Sequence, residues 1–169
     1  MKKKSDEKLK IIPLGGLEQI GMNITAFECQ DSIVLVDCGL AFPEDDMLGV
    51  DLVIPDVTYL LENADKVKGL CITHGHEDHI GAIPYILKQI NMPIYATKLT
   101  NGLIENKLKE HGMLRTVKRK VVKYGQSINL GCFRIEFIKT NHSIQDAAAL
   151  ALFSPAGIVV HTGDFKVDY

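Results

Sequence analysis

Residues 74–79 read His74-Gly75-His76-Glu77-Asp78-His79, directly after the apolar run at 67–72, Val-Lys-Gly-Leu-Cys-Ile, and Thr73. Three histidines and the carboxylate of Asp78 thus stand within six positions at the exit of a buried strand. Imidazole nitrogen and carboxylate oxygen are donors for borderline-soft divalent ions such as zinc, so the cluster offers ligands for more than one ion. In an extended segment His74 and His76 point the same way and can reach one metal. Asp78 and His79 fall where the chain turns into a helix and can face a second. The competing reading is a solvated polar loop, but the protein has only six histidines in 169 residues and three of them are here.

Working outward, residues 67–73 form the strand before this cluster. Residues 80–90 follow as a helix, with Ile83, Leu87 and Ile90 at spacings of three and four and Pro84 near its start. Before it, residues 9–14 read as a first strand ended by Pro13, Gly15 and Gly16. Residues 22–29 and 32–36 form a hairpin around Gln30-Asp31. Residues 38–55 are a loop, and Asp56 caps a short helix through Leu61. After the cluster come a short strand at 93–96 and an amphipathic helix at 99–110 that stops near Gly112. Strands follow at 118–122, 127–130 and 133–137, then a last hairpin of 147–153 and 158–160. Strands dominate and neighbours are mostly hairpin-linked, so the fold class is α+β, a mixed sheet or sandwich of sheets with helices outside, not a doubly wound parallel fold.

Four polar motifs each follow an apolar strand: Asp37 after Ile33-Val-Leu-Val36, His74 after Leu70-Cys-Ile-Thr73, His142 after Phe137-Ile-Lys-Thr-Asn141, and Asp164 after His161-Thr-Gly163. If these strands share a direction, the motifs gather at one edge, where ligands usually bind.

At this point the chain resembles a known family. His74-x-His76-x-Asp78-His79 is similar to the signature of the metallo-β-lactamase fold. The segments 13–23, 37–43, 73–84, Asn141-His-Ser-Ile144 and His161-Thr-Gly-Asp-Phe-Lys166 more specifically resemble the ribonuclease J family, in the β-CASP branch of that superfamily. The resemblance implies an αββα-type β-sandwich with flanking helices, of which this chain is an N-terminal, incomplete portion: a flexible leader at 1–8 and a partial domain at 9–169. It implies two divalent ions, zinc above all, one held by His74, His76 and His142 and the other by Asp78, His79 and the bridging Asp164. Asp37 would be a supporting carboxylate that orients ligand histidines by hydrogen bonds. A hydroxide shared by the ions would attack an RNA phosphodiester, with Asp78 helping to orient it. Members of the family act in the cytoplasm on single-stranded RNA in processing and decay, as endonucleases and as 5′-to-3′ exonucleases preferring a 5′-monophosphate, and as homo-oligomers.

Two departures qualify the match. The family segment after His142-Ser-Ile continues Pro-Asp-Ser, whereas here it is Gln145-Asp146-Ala147. Family members also continue for several hundred residues, with an inserted β-CASP domain and a final histidine ligand. Two alternatives therefore stand beside the ribonuclease: a hydrolase of thioesters or lactones on the same fold, and a non-catalytic metal- or partner-binding fragment.

Bulk composition agrees with a soluble globular domain, with 46% hydrophobic and 24% charged residues. A net charge of −2 points to no nucleic-acid partner by itself, so RNA contact would need a local patch. No run approaches the roughly eighteen apolar residues of a membrane helix, and no membrane partner is expected. The four cysteines lack C-x-x-C spacing and read as free, mostly buried thiols of a reducing cytoplasm. Arg115-Thr-Val-Lys-Arg-Lys-Val-Val-Lys123 suits either RNA phosphates or a lysine-guarded edge strand, and no residue is assigned to RNA binding. His111 reads as a helix-end residue, His161 as structural, Glu44-Asp45-Asp46 as solvated, and Gly75 and Gly81 as allowing close packing of the metal loop.

Overall fold

A computed structural model describes residues 7–168. Most of the predicted leader, residues 1–6, and Tyr169 lie outside the described residues. Two sheets stack face to face. The larger contains β1 (Leu9–Gly15), β2 (Ile24–Cys29), β3 (Ser32–Val36), β4 (Val67–Cys71), β5 (Ile94–Ala96) and β6 (Arg119–Val121), in that spatial order. The smaller contains β7 (Ser127–Leu130), β8 (Phe133–Lys139), β9 (Ala148–Ser154) and β10 (Gly157–His161), ordered β10-β9-β8-β7 and antiparallel throughout.

The apolar run of β3 shows how the layers arise. It is buried at every position, and its side chains alternate between the two faces of the sheet. Ile33 and Leu35 face the helices, packing in a core with Leu70, Ile72, Ile83, Ile86, Ile104 and Leu108. Val34 and Val36 face the smaller sheet, in a core with Phe27, Phe133, Phe137, Leu150 and Leu152. Continuous hydrophobic runs belong to strands covered on both faces. Each such fully buried side chain contributes about 1.5–3 kcal/mol.

The helices are α1 (Thr58–Glu62), α2 (Glu77–Ile80), α3 (Ile83–Gln89) and α4 (Lys98–Glu110). Several expectations change. The single helix expected over 80–90 is two: the Ala82 N–H leaves the helical ladder for the Cys38 carbonyl (3.0 Å), and Pro84 sits in the first turn of α3, where a missing N–H costs nothing. Hairpins account for only part of the larger sheet. β3, β4, β5 and β6 run parallel, and the connections from β4 to β6 carry α2, α3 and α4. Pro13 does not end β1, because β1 is an edge strand in which an absent N–H is tolerated. Asp56 sits one residue before the cap position, yet its Oδ1 accepts from the Thr58 N–H at 2.8 Å.

Two directions follow from this pairing. β3 and β4 are parallel, so Asp37 and His74 leave the larger sheet at the same edge. β8 and β10 both run antiparallel to β9, so His142 and Asp164 leave the smaller sheet together. The edges are joined where the Ala148 N–H donates to the Thr73 carbonyl at 2.8 Å.

Candidate metal centre

The three imidazoles of His74, His76 and His142 converge. His74 Nε2 lies 3.1 Å from His76 Nδ1, and His142 Nε2 lies 3.3 Å from the same nitrogen. Their rings stand nearly perpendicular, at 86° for His74–His76 and 78° for His74–His142, so the pairs do not stack. A tetrahedral zinc with bonds of 2.0–2.1 Å places its nitrogen ligands about 3.3 Å apart, and the observed separations match that edge. These donors fit a metal ion.

Beside them, His79 Nε2 lies 3.5 Å from Asp164 Oδ2 and 3.4 Å from Asp78 Oδ2. Donor atoms of His74, His79 and Asp164 fall within 4.8 Å of one another, as do those of His74, His76 and His142. His74 is therefore central to both groups. Asp78 stands at the rim of the second, with its Oδ2 accepting from Asn23 Nδ2 at 3.1 Å.

Behind the donors is a buried polar layer. Asp37, 1% exposed and at a left-handed φ of 62°, accepts through Oδ1 from the Thr73 N–H (2.8 Å) and pairs through Oδ2 with His79 Nδ1 (2.8 Å). The Thr73 hydroxyl is shared between Asp37 Oδ2 (2.8 Å) and His74 Nδ1 (3.0 Å). Each of these partners occupies the ring nitrogen turned away from the cluster. The Nε2 atoms of His74 and His79 are thereby aimed into it.

The electrostatics are consistent with that division. Burial and then the neighbouring His79 charge push His74 down to about 4, so its ring is neutral and its lone pair is available at neutral pH. Burial also lowers His142, with His76 and His79 adding to it against the pull of Asp164. For His79, burial favours the neutral ring, but the hydrogen bond and charge of Asp37 outweigh it and raise the pKa. Burial works against ionised Asp37, yet His79 and the Thr73 N–H hold its carboxyl below the ordinary range.

Close packing holds the loop in place. A Cβ on Gly75 would fall 2.4 Å from Leu103 Cδ1, and one on Gly81 would fall 2.4 Å from Leu40 Cγ. His161 belongs to neither donor group, and its Nδ1 accepts from the Gly163 N–H at 3.2 Å. It lines, with Gly15, Gly16, Asp37, His79 and Asp164, a cavity of about 180 Å³ next to the donors. His111 caps the end of α4 against the Tyr85 ring, and the acidic loop at 44–46 is exposed. The basic segment at 115–123 contains β6 at a sheet edge, where Arg119 pairs with Glu105 at 2.8 Å. Cys29, Cys38 and Cys71 are buried free thiols and Cys132 is half-buried. Burial pushes the Cys38 and Cys71 thiols far up, so neither is a nucleophile.

Two contributors had no role assigned from sequence. Thr73 was read only as the end of a strand, although a hydroxyl directly before a ligand histidine is a local signal. Asn23 Nδ2 lies within 3.1 Å of Asp78 Oδ2, the Asp78 carbonyl and His79 Nε2, a contact across more than fifty residues that no local pattern encodes.

Comparison with known proteins bears on this geometry. Residues 23–167 match a sequence profile described as the metallo-beta-lactamase superfamily. A ribonuclease J of Synechocystis is 52% identical over 165 residues, 96% of this chain and 26% of that protein. Ribonuclease J 1 of Streptococcus pyogenes is 46% identical over 159 residues, covering 94% of this chain and 28% of its own. The chain spans about a quarter of the length of these relatives. Among solved structures, a protein of unknown function from Enterococcus faecalis superposes with a TM-score of 0.74 at 18% identity, over 94% of this chain and 44% of that one. The metallo-beta-lactamase fold protein YhfI of Bacillus subtilis does so at 0.59 and 20%, over 92% and 62%. At such identities these two structures speak for the fold.

Proposed function

This chain belongs to the metallo-beta-lactamase superfamily, and from that premise we propose that it is part of a ribonuclease J-like hydrolase of RNA phosphodiester bonds. The observation that carries the reading is the convergence of His74, His76 and His142 beside His79 and Asp164, in a chain 52% identical to a ribonuclease J. His74, His76 and His142 would hold one divalent ion; Asp78, His79 and Asp164 would hold the other, zinc being the ion best suited to this donor set. When bound, the pair supplies Lewis acidity and stabilises the charge that develops on an attacked phosphodiester.

The chain's own residues do the positioning. Asp37 and Thr73 fix the tautomers and the aim of His79 and His74. Asn23 steadies Asp78, the residue proposed to orient the attacking water. The substrate would be single-stranded RNA, entered from a 5′-monophosphate in the exonuclease mode and cut internally in the endonuclease mode. The setting would be RNA processing and decay in the cytoplasm, by a homo-oligomer. In domain terms, residues 1–8 would be a leader and 9–169 the N-terminal portion of a metallo-β-lactamase domain, completed in the whole protein by a β-CASP domain and a further histidine ligand.

The test is metal content and turnover of the full-length protein, with His76→Ala alongside. Near two equivalents of zinc, at least one lost in the variant, and cleavage of single-stranded RNA faster with a 5′-monophosphate than a 5′-triphosphate are expected. Turnover of thioesters or lactones without RNA cleavage would replace the ribonuclease with another hydrolase. Metal binding without any turnover would make the protein a binding module.

A further inference from the structure

His142 is the one member of its triad that comes from the smaller sheet, on the loop between β8 and β9, and something must hold that loop against the other two histidines. We propose that Asp146 is a positioning residue that sets His142 in reach of His74 and His76 by tying its loop to the N-terminus of α4. This rests on the metal-centre reading above.

Thr97 occupies the cap position of α4, but its side chain does not cap. Its hydroxyl instead contacts Thr100 Oγ1 (3.1 Å) and donates to the Asp146 carbonyl (2.8 Å). The first-turn N–H of Leu99 would then lack a partner, and Asp146 Oδ2 accepts it at 2.9 Å. A carboxylate there also meets the positive end of the helix dipole. The helix therefore takes its cap from the loop, and the loop takes its anchor from the helix. Asp146 adopts a left-handed φ of 63°, a conformation that Asp tolerates better than most side chains and that a surrounding structure must hold in place.

The loop has other ties too: beside His142, the Asn141 carbonyl accepts from the Lys166 N–H at 2.8 Å and the Asn141 side-chain amide donates to Asp168. The Thr140 N–H donates to the Ala147 carbonyl at 3.3 Å and closes its base, and the Tyr124 hydroxyl donates to the same carbonyl at 3.2 Å. Ile144 comes close to Gly75, where a Cβ would lie 3.6 Å from Ile144 Cδ1. Asp146 is the side chain that links this loop to a thirteen-residue helix fixed in the core through Ile104 and Leu108. Among the described residues, the polar approaches of the His142 ring are the 3.3 Å one to His76 and a longer one, 3.8 Å, to Asp164.

The experiment is zinc titration of the full-length protein against a chromophoric chelator, with the visible spectrum of the cobalt-substituted protein, for wild type, Asp146→Ala and Asp146→Asn. Removal of a group that orients a ligand costs about 10- to 100-fold in metal affinity. Asp146→Ala is expected to weaken one of two binding steps by that factor and to alter one set of cobalt bands. The second step should stay as in wild type. Asp146→Asn keeps an acceptor for the Leu99 N–H and should restore most of the affinity; the loss in Asp146→Ala being confined to one step, with the other unchanged, is what a general loss of helix stability would not show. Unchanged affinity in Asp146→Ala, or equal loss of both steps in both variants together with the circular dichroism of the folded chain, would overturn the assignment. A wild-type protein that binds no metal would instead remove the metal reading on which it rests.

Discussion

Asp37 is the residue on which the most interactions of the centre depend. It is buried, ionised and paired with His79, and its other oxygen takes the Thr73 N–H. Without Asp37 the buried His79 ring sheds its proton, but the Thr73 N–H and His79 Nδ1 are left without their acceptor, at a cost of about 1–3 kcal/mol for each unsatisfied group. Asp37→Ala is accordingly expected to lose that much stability in urea titration with chelator present, so that metal binding does not enter the comparison, and to bind less than wild-type zinc when the chelator is withdrawn. At this scale the sequence was informative. The cluster at 74–79, His142 and Asp164 each follow an apolar run within a few residues, which made them nameable as candidates, Asp78 included; the places of His142 and Asp164 in the two ligand sets came from the family resemblance. The aim of each ring was not legible. It depends on which nitrogen Asp37 or Thr73 occupies, and His79 is separated from Asp37 by 42 positions.

At the scale of elements, the segment after β3 and the short helix α2 act as one unit. Cys38 N–H donates to the His79 carbonyl (2.8 Å), Gly39 N–H to the Asn23 carbonyl (3.0 Å) and Asn23 N–H to the Asp78 carbonyl (3.0 Å). The approach is so close that a Cβ on Gly39 would sit 1.6 Å from the Asp78 carbonyl oxygen, which is backbone and cannot rotate away. Gly39→Ala should therefore push α2 off the strand end. The expected outcome is a loss of soluble yield or a melting temperature lower by several degrees, with reduced zinc content in whatever folds; a variant indistinguishable from wild type in both would refute this packing argument. Element type and rough extent were legible because periods of two and of three to four are local. The break between α2 and α3 was not, since it depends on the Ala82 N–H finding the Cys38 carbonyl. Neither was the parallel half of the larger sheet, because strand order is a matter of which surfaces pack.

At the scale of the whole molecule, acid stability has a clear source away from the candidate metal centre. Glu28 is 5% exposed. Its burial alone would raise its pKa, but hydrogen bonds from Lys10 (2.9 Å), Tyr59 and Lys66 (3.1 Å) bring it down to about 2 from an ordinary 4.5. A folded value below the unfolded one means that the contribution is fully present above 4.5 and is lost as the pH falls toward 2. With Lys10 largely in solvent and screening part of the effect, the cluster should contribute about 2–3 kcal/mol. Chemical denaturation of the metal-free protein between about pH 5 and pH 2 should show stability falling, and Glu28→Gln should flatten that fall; an equally steep fall in the variant would mean that other carboxylates carry it. This cluster joins β1, β2, α1 and the 3-10 turn at Ala64–Lys66, so it ties one end of the larger sheet to the helical layer.

The sequence by itself determined the metal-competent residues and their superfamily, because ligand chemistry is a property of side-chain type and short spacing, and both can be read along the chain. It also placed an apolar strand before each of the four polar motifs, although β10, ahead of Asp164, proves largely exposed. Only the tertiary structure decided which donors meet. His142 reaches His76 across 66 positions, and Asp164 reaches His79 across 85, because β8 and β10 share a direction and the two face-to-face sheets are joined at this end through Thr73. Such separations carry no periodicity. They are set by sheet register and by apolar burial between layers, which fix relative position only once the whole domain has closed.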